Sequence, residues 1–264
     1  MIFSALFLLV FVELNHGFNP KSLNFLSASS GDWSPAGATW YGSPEGFGSD
    51  GGACEYGQAV GSAPFSSMIA AGGPSLFKSG MGCGACYQVK CTSNVACSGK
   101  PATVVITDDC PGGPCESDAV HFDMSGTAFG AMAISGEADQ LRNAGMLQVQ
   151  YTRVPCSYQD VNIVFHVDAG SNSYYFAVVV EYVNGDGELG AVDLLPSSAG
   201  AKWLSMQHLE GGAVWKLNYW SSPLHPPFSL RVTTPTGKIL TAADVIPADW
   251  QPGLAYKSLV NFKN

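Results

Sequence analysis

Two aspartates, one at the end of a predicted strand and one in a His-Phe-Asp segment shortly after it, are the residues best suited to acid–base chemistry. Asp108 lies in Thr107-Asp-Asp109, and Asp123 ends the segment His121-Phe-Asp123. A carboxyl group beside an aromatic ring in a groove can have a raised pKa and donate a proton to a glycosidic oxygen. Because glycoside hydrolysis needs a second carboxylate as base or nucleophile, Asp108 is the available partner for Asp123. The alternative is that these aspartates only cap a turn and a helix.

Polar and aromatic side chains near these aspartates are suited to holding a sugar. A sugar ring presents hydroxyl groups at its edge and C–H groups on its face, so it is bound by polar partners together with a flat aromatic ring. Trp40 provides such a flat face. The polar candidates are Thr39, Tyr41, Asp108, His121 and Asp123.

Other catalytic and metal-binding signatures are absent from the sequence. It contains no Gly-X-Ser-X-Gly elbow, no His-Glu-X-X-His zinc signature and no phosphate-binding glycine loop that runs into a helix. Cys83-Gly-Ala-Cys86 is a Cys-X-X-Cys pair, but a structural zinc site requires a second close pair or a histidine pair. We therefore predict no metal and no cofactor, with zinc as the weaker alternative to disulfides.

The eight cysteines indicate a disulfide-bonded, extracellular protein. Seven of them lie between Cys54 and Cys115, and Cys156 stands apart. An even number of cysteines in a secreted chain implies disulfides, although spacing alone leaves the pairing open. No cysteine follows Cys156, and this change in composition predicts a domain boundary.

The N-terminal segment predicts secretion. Ile2–Val12 is apolar except for Ser4, which suits the hydrophobic region of a signal peptide, whereas a spanning helix needs roughly 20 residues. We predict a signal peptide over residues 1–24, with cleavage between residues 17 and 28, and no transmembrane segment. The alternative for this apolar run is a buried strand or helix.

The charge balance argues against nucleic acid as a partner. The chain has 12 Lys and Arg residues against 21 Asp and Glu residues, a formal net charge of −9, and no basic stretch. Nucleic acid phosphates are bound by Lys and Arg, so this class is excluded. The 31 glycines, 16 prolines and few charges disfavour a helical bundle, while 46% hydrophobic residues suffice for a core.

Hydrophobic patterns predict two β domains. In residues 145–153 apolar side chains alternate with polar ones, which is typical of a half-buried strand. Residues 30–157 are therefore expected to form a small, disulfide-pinned barrel, with further strands over 85–90 and 102–107 and short helices over 126–132 and 137–142. Residues 161–264 contain seven short strand patterns separated by turns, which predict a β-sandwich.

Several ordered motifs give the chain a family resemblance. In the first half they are Thr39–Gly42 (TWYG), Gly51–Cys54 (GGAC), Gly82–Tyr87 (GCGACY), Ile106–Asp109 (ITDD) and His121–Ala133 (HFDMSGTAFGAMA). In the second half they are Tyr182–Gly187 (YVNGDG) and Gly212–Trp215 (GAVW). The chain resembles the expansins, and within them the beta-expansin branch that includes the group-1 grass pollen allergens.

The resemblance implies a fold, a function and a location. The expected fold is mainly β, with a six-stranded double-psi β-barrel related to an endoglucanase family, followed by an immunoglobulin-like β-sandwich. Expansins are secreted into the plant cell wall, where they disrupt noncovalent contacts between cellulose and matrix glycans such as xylan without cutting the chains. These polysaccharides are the expected partners, and we expect the protein to be a monomer.

The family pattern also implies the disulfides. They would join Cys54 to Cys83, Cys86 to Cys156 and Cys91 to Cys97. Cys110 and Cys115 are additional to some members, and because they flank Pro111-Gly-Gly-Pro114 we expect them to pair with each other.

The resemblance bears directly on whether the barrel cuts glycans. The related endoglucanases carry their catalytic acid in the HFD motif, which corresponds to Asp123, but the position of their base corresponds to Ser43. A serine does not accept the proton of an attacking water at neutral pH, so the resemblance implies a nonhydrolytic protein. Two alternatives stay open: an inverting hydrolase that uses Asp123 with Asp108, and a protein that only binds wall polysaccharide.

In the second domain the family binds polysaccharide on aromatic residues. The platform tyrosine matches Tyr175, but the tryptophan expected just before the GAVW motif is Gly211. Trp203 or Trp220 are the candidates to replace it, whereas Trp215 is expected in the core.

Overall fold

The computed structural model describes residues 32–263. The predicted signal peptide lies outside these residues. The first half of the described chain forms a closed barrel, in which neighbouring strands follow the order β1-β5-β2-β4-β3-β6. Its strands are β1 (Ser34–Tyr41), β2 (Ile69–Gly72), β3 (Cys86–Cys91), β4 (Ala102–Asp109), β5 (His121–Ser125) and β6 (Leu147–Arg153).

The barrel confirms the six-stranded double-psi architecture. β1 pairs in parallel with β5, and β2 pairs in parallel with β4, while the other pairs are antiparallel. Apolar residues of the strands fill the interior, and Val104, Ile106, Phe122 and Met124 are among those with almost no exposed surface. In β6, Leu147 and Val149 are buried between exposed glutamines, as their alternation predicts.

Short helices connect the barrel strands. The α-helices are α1 (Pro74–Phe77), α2 (Pro114–Ser117), α3 (Gly126–Gly130) and α4 (Ala138–Asn143), and 3-10 helices cover Gly52–Cys54, Gly57–Gly61 and Lys78–Gly80. α3 and α4 match the two helices predicted from the sequence. Among the described residues, no helix has the length and apolar character needed to cross a bilayer.

The second half forms two packed sheets, which confirms the predicted sandwich. One sheet has the strand order β10-β9-β13-β14, and the other has the order β11-β12-β8-β7-β15. The strands are β7 (Val164–Val167), β8 (Tyr175–Glu181), β9 (Ala191–Pro196), β10 (Leu204–Ser205), β11 (Gln207–His208), β12 (Val214–Asn218), β13 (Phe228–Thr233), β14 (Ile239–Ile246) and β15 (Ala255–Lys257). Trp215 is 6% exposed and lies in the core between the sheets, as expected.

All four implied disulfides are present. They join Cys54 to Cys83, Cys86 to Cys156, Cys91 to Cys97 and Cys110 to Cys115. The zinc alternative for Cys83 and Cys86 is thereby excluded, because both sulfur atoms are in disulfides. Among the described residues there is no group of three or more His, Cys, Asp or Glu side chains that could hold a metal ion.

The two domains meet through close backbone contacts. A Cβ atom on Gly84 would lie 2.7 Å from the carbonyl oxygen of Gly187, and one on Gly80 would lie 2.0 Å from that of Gly212. Lys78 and Arg153 of the barrel both form ion pairs with Glu188 of the sandwich. The sheet that contains β8 and β12 therefore packs its outer face directly against the barrel.

Candidate functional site

Asp123 occupies a partly buried position at the surface of the barrel. It lies on β5 between β1 and β2, in register with Thr39 and with Ala71. The Thr39 hydroxyl donates a 2.7 Å hydrogen bond to Asp123 Oδ1. Burial raises the pKa of the Asp123 carboxyl, opposed by Thr39 and His121 and reinforced by Asp108. Burial therefore favours the protonated form of this carboxyl, which is the form that can donate a proton.

Asp108 anchors a loop. Its Oδ1 accepts hydrogen bonds of 2.7 Å from the Ala53 amide and 2.8 Å from the Asp109 amide, and its Oδ2 accepts one of 2.9 Å from the Ser49 hydroxyl. Gly52 has φ of +48°, and a Cβ atom there would overlap the Asp108 carboxylate. Only glycine allows the loop to close over this carboxylate.

This arrangement weakens the case for Asp108 as a catalytic base. Asp108 and Asp123 are both in register with Ala71 of the strand between them, so their Cα atoms are two strand spacings, or about 9–10 Å, apart. That spacing does not separate a hydrolase from a binding protein. The hydrogen bonds bear on it more directly. A carboxylate has about four acceptor positions, and the Ala53 amide, the Asp109 amide and the Ser49 hydroxyl fill three of them, which leaves little of Asp108 open to an attacking water.

Tyr41 lies beside the two acids at the end of β1. Burial, with Asp108 and Asp123 close by, raises the pKa of its phenol to about 12. Its ring packs directly on Gly48, where a Cβ atom would overlap it. Tyr41 therefore presents a neutral ring next to Asp123.

Trp40 and His121 are held behind this surface. Trp40 alternates with Thr39 and Tyr41 along β1, so it points to the other face of the strand, where it packs against the barrel core and donates a 3.0 Å hydrogen bond to the Arg142 carbonyl. His121 has no exposed surface, and its Nε2 lies 2.9 Å from the Thr39 hydroxyl. His121 can therefore act on a ligand only through Thr39.

Tyr175 extends the site onto the sandwich. It lies at the start of β8 and is partly exposed, and burial, with Asp168 and Glu55 nearby, raises the pKa of its phenol. Glu55 belongs to the barrel and follows the 3-10 helix whose Ala53 amide binds Asp108. The surface thus runs from Asp123 across this helix to Tyr175.

The candidates for the missing platform tryptophan lie on different sheets. Trp203 stacks on Arg231, with the guanidinium carbon 4.5 Å from the ring centroid, on the sheet opposite to Tyr175. Trp220 is 77% exposed and follows β12 on the sheet of Tyr175. Its neighbour Tyr219 donates a backbone hydrogen bond of 2.8 Å to Tyr174, which is 41% exposed. The structure therefore groups Trp220, and not Trp203, with Tyr175.

Gly211 has a backbone conformation that disfavours a tryptophan. Its φ is +88°, and its amide donates a 2.9 Å hydrogen bond to the Ser79 carbonyl. A residue with a side chain is strained at this φ. The glycine that stands where the family has a tryptophan therefore alters the backbone conformation as well as removing the side chain.

Comparison with known proteins agrees with the fold. A family model described as the expansin C-terminal domain matches residues 163–247, and one described as lytic transglycolase matches residues 69–151. Putative expansin-B2 of Arabidopsis thaliana is 60% identical over 267 residues, which cover 99% of this chain and 96% of the relative. Expansin-B11 of Oryza sativa subsp. japonica is 62% identical over 231 residues, covering 87% of this chain and 78% of the relative.

A solved structure shares the architecture. The crystal structure of an apo expansin from Clavibacter michiganensis superposes with a TM-score of 0.65 at 21% sequence identity, covering 88% of this chain and 99% of that chain. A variant of that expansin, in complex with cellohexaose, superposes equally well at 20% identity. At these identities the likeness shows the fold alone.

The barrel, the sandwich behind it and the relatives define the class of protein: this chain belongs to the expansin family, whose members loosen plant cell walls. Within that family it is a beta-expansin.

Proposed function

We propose that this beta-expansin loosens the plant cell wall without hydrolysis, by binding one glycan chain along the surface from Asp123 to Tyr175 and separating it from its neighbours. The observation that carries the proposal is the engagement of Asp108, whose carboxylate accepts three hydrogen bonds from its own loop and strand. Ser43 stands where the related endoglucanases carry their base. In the described groove, Asp123 can therefore donate a proton, while the carboxylate proposed as its partner, Asp108, is held by its own loop.

The ligand class follows from the chemistry of this surface and from a structural neighbour. Carboxyl and hydroxyl groups at Asp123 and Thr39 suit sugar hydroxyls, whereas the hydroxyl oxygen of Tyr41 is buried. The partly exposed ring of Tyr175 and the exposed ring of Trp220 suit the C–H faces of sugar rings. The bacterial expansin that shares the fold was crystallised with cellohexaose, which supports a β-glucan chain as ligand. The proposed partners are cellulose and xylan, and the proposed setting is the extracellular wall, with the protein acting as a monomer.

A second candidate function is cleavage of the glycan chain. Two observations favour it: the raised pKa of Asp123 and the match of residues 69–151 to a model described as lytic transglycolase. A cleavage reaction that requires only a catalytic acid, and no base, would not depend on Asp108 or on the residue at position 43. The sugar products therefore have to be sought by mass spectrometry, which detects them whether or not they carry a reducing end.

Creep of heat-inactivated grass cell walls under constant load tests the proposal. Purified wild-type protein is expected to increase extension while the bathing solution gains no oligosaccharide. Asp123→Asn is expected to lose most of the extension and to keep wall binding, because the surface from Tyr175 to Trp220 stays intact. Asp249→Asn is the control: it makes the same substitution at an exposed aspartate of the sandwich that is not one of the proposed binding residues.

Each other outcome selects a different function. Soluble oligosaccharides that appear with wild type and vanish with Asp123→Asn would identify a glycan-cleaving enzyme. Wall binding with no extension at any protein concentration would identify a pure binding protein.

A further inference from the structure

Asp118, which the proposed function does not use, lies at the surface end of a line of hydrogen bonds that reaches Asp123. Asp118 Oδ2 is 2.8 Å from His121 Nδ1, His121 Nε2 is 2.9 Å from Thr39 Oγ1, and Thr39 Oγ1 is 2.7 Å from Asp123 Oδ1. The Asp118 side chain is 34% exposed, whereas His121 is fully buried. We propose that Asp118 is a positioning residue which, through His121 and Thr39, holds a proton that is shared with the groove carboxyl of Asp123.

Counting hydrogens shows why a proton must be shared. The Thr39 hydroxyl has one hydrogen and therefore donates to only one of its two neighbours. If the Thr39 hydroxyl donates to Asp123, then Nε2 of His121 must donate to Thr39. Because Nδ1 must also carry a hydrogen to contact the Asp118 carboxylate, His121 is then an imidazolium. If Thr39 donates to His121 Nε2, Asp123 must be protonated and donate to Thr39. Both arrangements, in which the ionised Asp118 accepts from Nδ1–H, contain one proton beyond neutral histidine and ionised carboxylates.

The two arrangements interconvert by moving that proton along the line. The Nε2–H bond of His121 breaks as its proton passes to Thr39 Oγ1, and the original Thr39 proton passes to Asp123 Oδ1. The imidazolium becomes neutral imidazole and the carboxylate becomes carboxylic acid, so charge and atoms balance. In both arrangements Nδ1 keeps its hydrogen, because Asp118 accepts it.

Loss of the shared proton leaves an unsatisfied contact. When Asp118 and Asp123 are both ionised, neutral His121 has a single N–H. If Nε2 carries it, the lone pair of Nδ1 faces the Asp118 carboxylate. If Nδ1 carries it, the lone pair of Nε2 either faces a lone pair of Thr39 or takes the Thr39 hydrogen bond away from Asp123. Asp118 thus makes the deprotonated state unfavourable. Without Asp118, Nε2–H can donate to Thr39 and Thr39 to Asp123, and the deprotonated line is complete.

The local fold is arranged for this contact. A Cβ atom on Gly37 would lie 2.2 Å from Asp118 Oδ2 and 2.5 Å from His121 Nδ1, so glycine at this position of β1 permits the pair. Asp118 directly follows α2, three residues after Cys115 of the Cys110–Cys115 disulfide. The pair is therefore fixed by the backbone on both sides.

Few other charged groups face this line. His121 contacts Asp118 and Thr39, and Asp123 is the next charged group, beyond Thr39. Asp123 also faces Asp108 from β4 and the phenol of Tyr41 from β1. Asp108 opposes ionisation of Asp123, and Tyr41 stays neutral, so neither supplies the shared proton.

The test measures the tautomer of His121 in the full-length protein labelled with ¹⁵N-histidine. Wild type is expected to carry hydrogen on Nδ1 at every pH up to about 8, whether or not Nε2 is protonated. Asp118→Ala is expected to shift His121 to the Nε2–H tautomer at pH 7.5. Glu116→Ala, which removes an exposed charge from α2 without touching His121, is expected to leave the spectrum unchanged. The resonance is assigned by its loss in His121→Gln.

A second readout follows the Asp123 carboxyl by ¹³C resonance. Its titration midpoint is expected to fall by about one pH unit in Asp118→Ala, and by less than a quarter of that in Glu116→Ala. A wild-type His121 that lacks hydrogen on Nδ1 at pH 7.5, or an Asp123 midpoint that Asp118→Ala does not move, would overturn the proposal. The inference rests on the proposed function only for its effect on wall creep. If the spectra of Asp118→Ala change as expected but the pH profile of wall creep does not, the hydrogen-bonded line is supported and the role of the groove in loosening is rejected.

Discussion

At the scale of single residues, burial decides what each ionisable group does. Asp123, Tyr41 and Glu181 all have raised pKa values, and burial is the largest cause for each. Only Asp123 also lies on the open surface with hydrogen-bonding neighbours suited to sugar. Motif spacing identified Asp123, but it also predicted that His121 and Asp108 contact the sugar directly. The structure gives them other roles, because side-chain burial and loop closure depend on contacts distant in sequence.

Glu181 makes the stability of the fold depend on pH. It is 5% exposed, and burial raises the pKa of its carboxyl to about 7, above the value of about 4.5 in an unfolded chain. The folded state therefore binds this proton more tightly, so the stabilisation is complete below pH 4.5 and is lost as the pH rises through 7. The loss is on the order of 3 kcal/mol in the free energy of unfolding.

Replacing Glu181 with Gln is expected to remove that dependence. Urea unfolding of wild type at pH 4.5, 6 and 8 should show falling stability, and Glu181→Gln should show a flatter profile with higher stability at pH 8. Equal slopes for the two proteins between pH 4.5 and 8 would contradict the account of Glu181.

At the scale of elements, alternation of apolar and polar residues predicted the strands that it could describe. β6 is a half-buried strand with a clear pattern, and its predicted position is confirmed. β2 was not predicted, because all four residues of Ile69–Gly72 are buried and so no alternation exists. β5 was read only as a motif, since His121–Ser125 is also buried on both faces apart from Asp123. β15 is three residues long and too short to give a pattern.

The strand ends of the sandwich determine which aromatic residue extends the binding surface. Trp220 follows β12 on the sheet that carries Tyr175, whereas Trp203 lies on the other sheet and stacks on Arg231. Trp220→Ala is expected to weaken cellulose binding roughly five-fold, since one stacking aromatic contributes about 1 kcal/mol. Trp203→Ala is the matched control and should bind within error of wild type. Pull-down isotherms on crystalline cellulose measure both, and a larger loss with Trp203→Ala would contradict this assignment.

At the scale of the whole molecule, close backbone contacts at glycines hold the barrel and the sandwich together. Gly84 meets Gly187 backbone to backbone, and Glu188 accepts ion pairs from two barrel residues. The sequence patterns predicted two domains, the family resemblance predicted three of the disulfides, and the spacing around Pro111–Pro114 predicted the fourth. The contact between the two domains could not be predicted, because glycines at a domain junction leave no hydrophobic pattern in the sequence.

Gly84→Ala tests the junction, and Gly99→Ala is its control. Both glycines have positive φ, of +84° and +72°, but a Cβ atom at Gly99 meets nothing within 4 Å. Each alanine costs about 1 kcal/mol in backbone strain, and Gly84→Ala adds on the order of 1–3 kcal/mol from overlap with the sandwich. Calorimetry should show a larger fall in melting temperature for Gly84→Ala, with separate transitions for the two domains. Equal falls would show that the junction does not couple them.

The central claim is that the groove keeps a proton donor and lacks a free proton acceptor. Its most direct test is prolonged incubation of the purified protein with cellohexaose, followed by mass spectrometry of the sugar. We predict that cellohexaose is recovered intact with wild type and with Asp123→Asn. Shorter products that form with wild type and are absent with Asp123→Asn would contradict the claim.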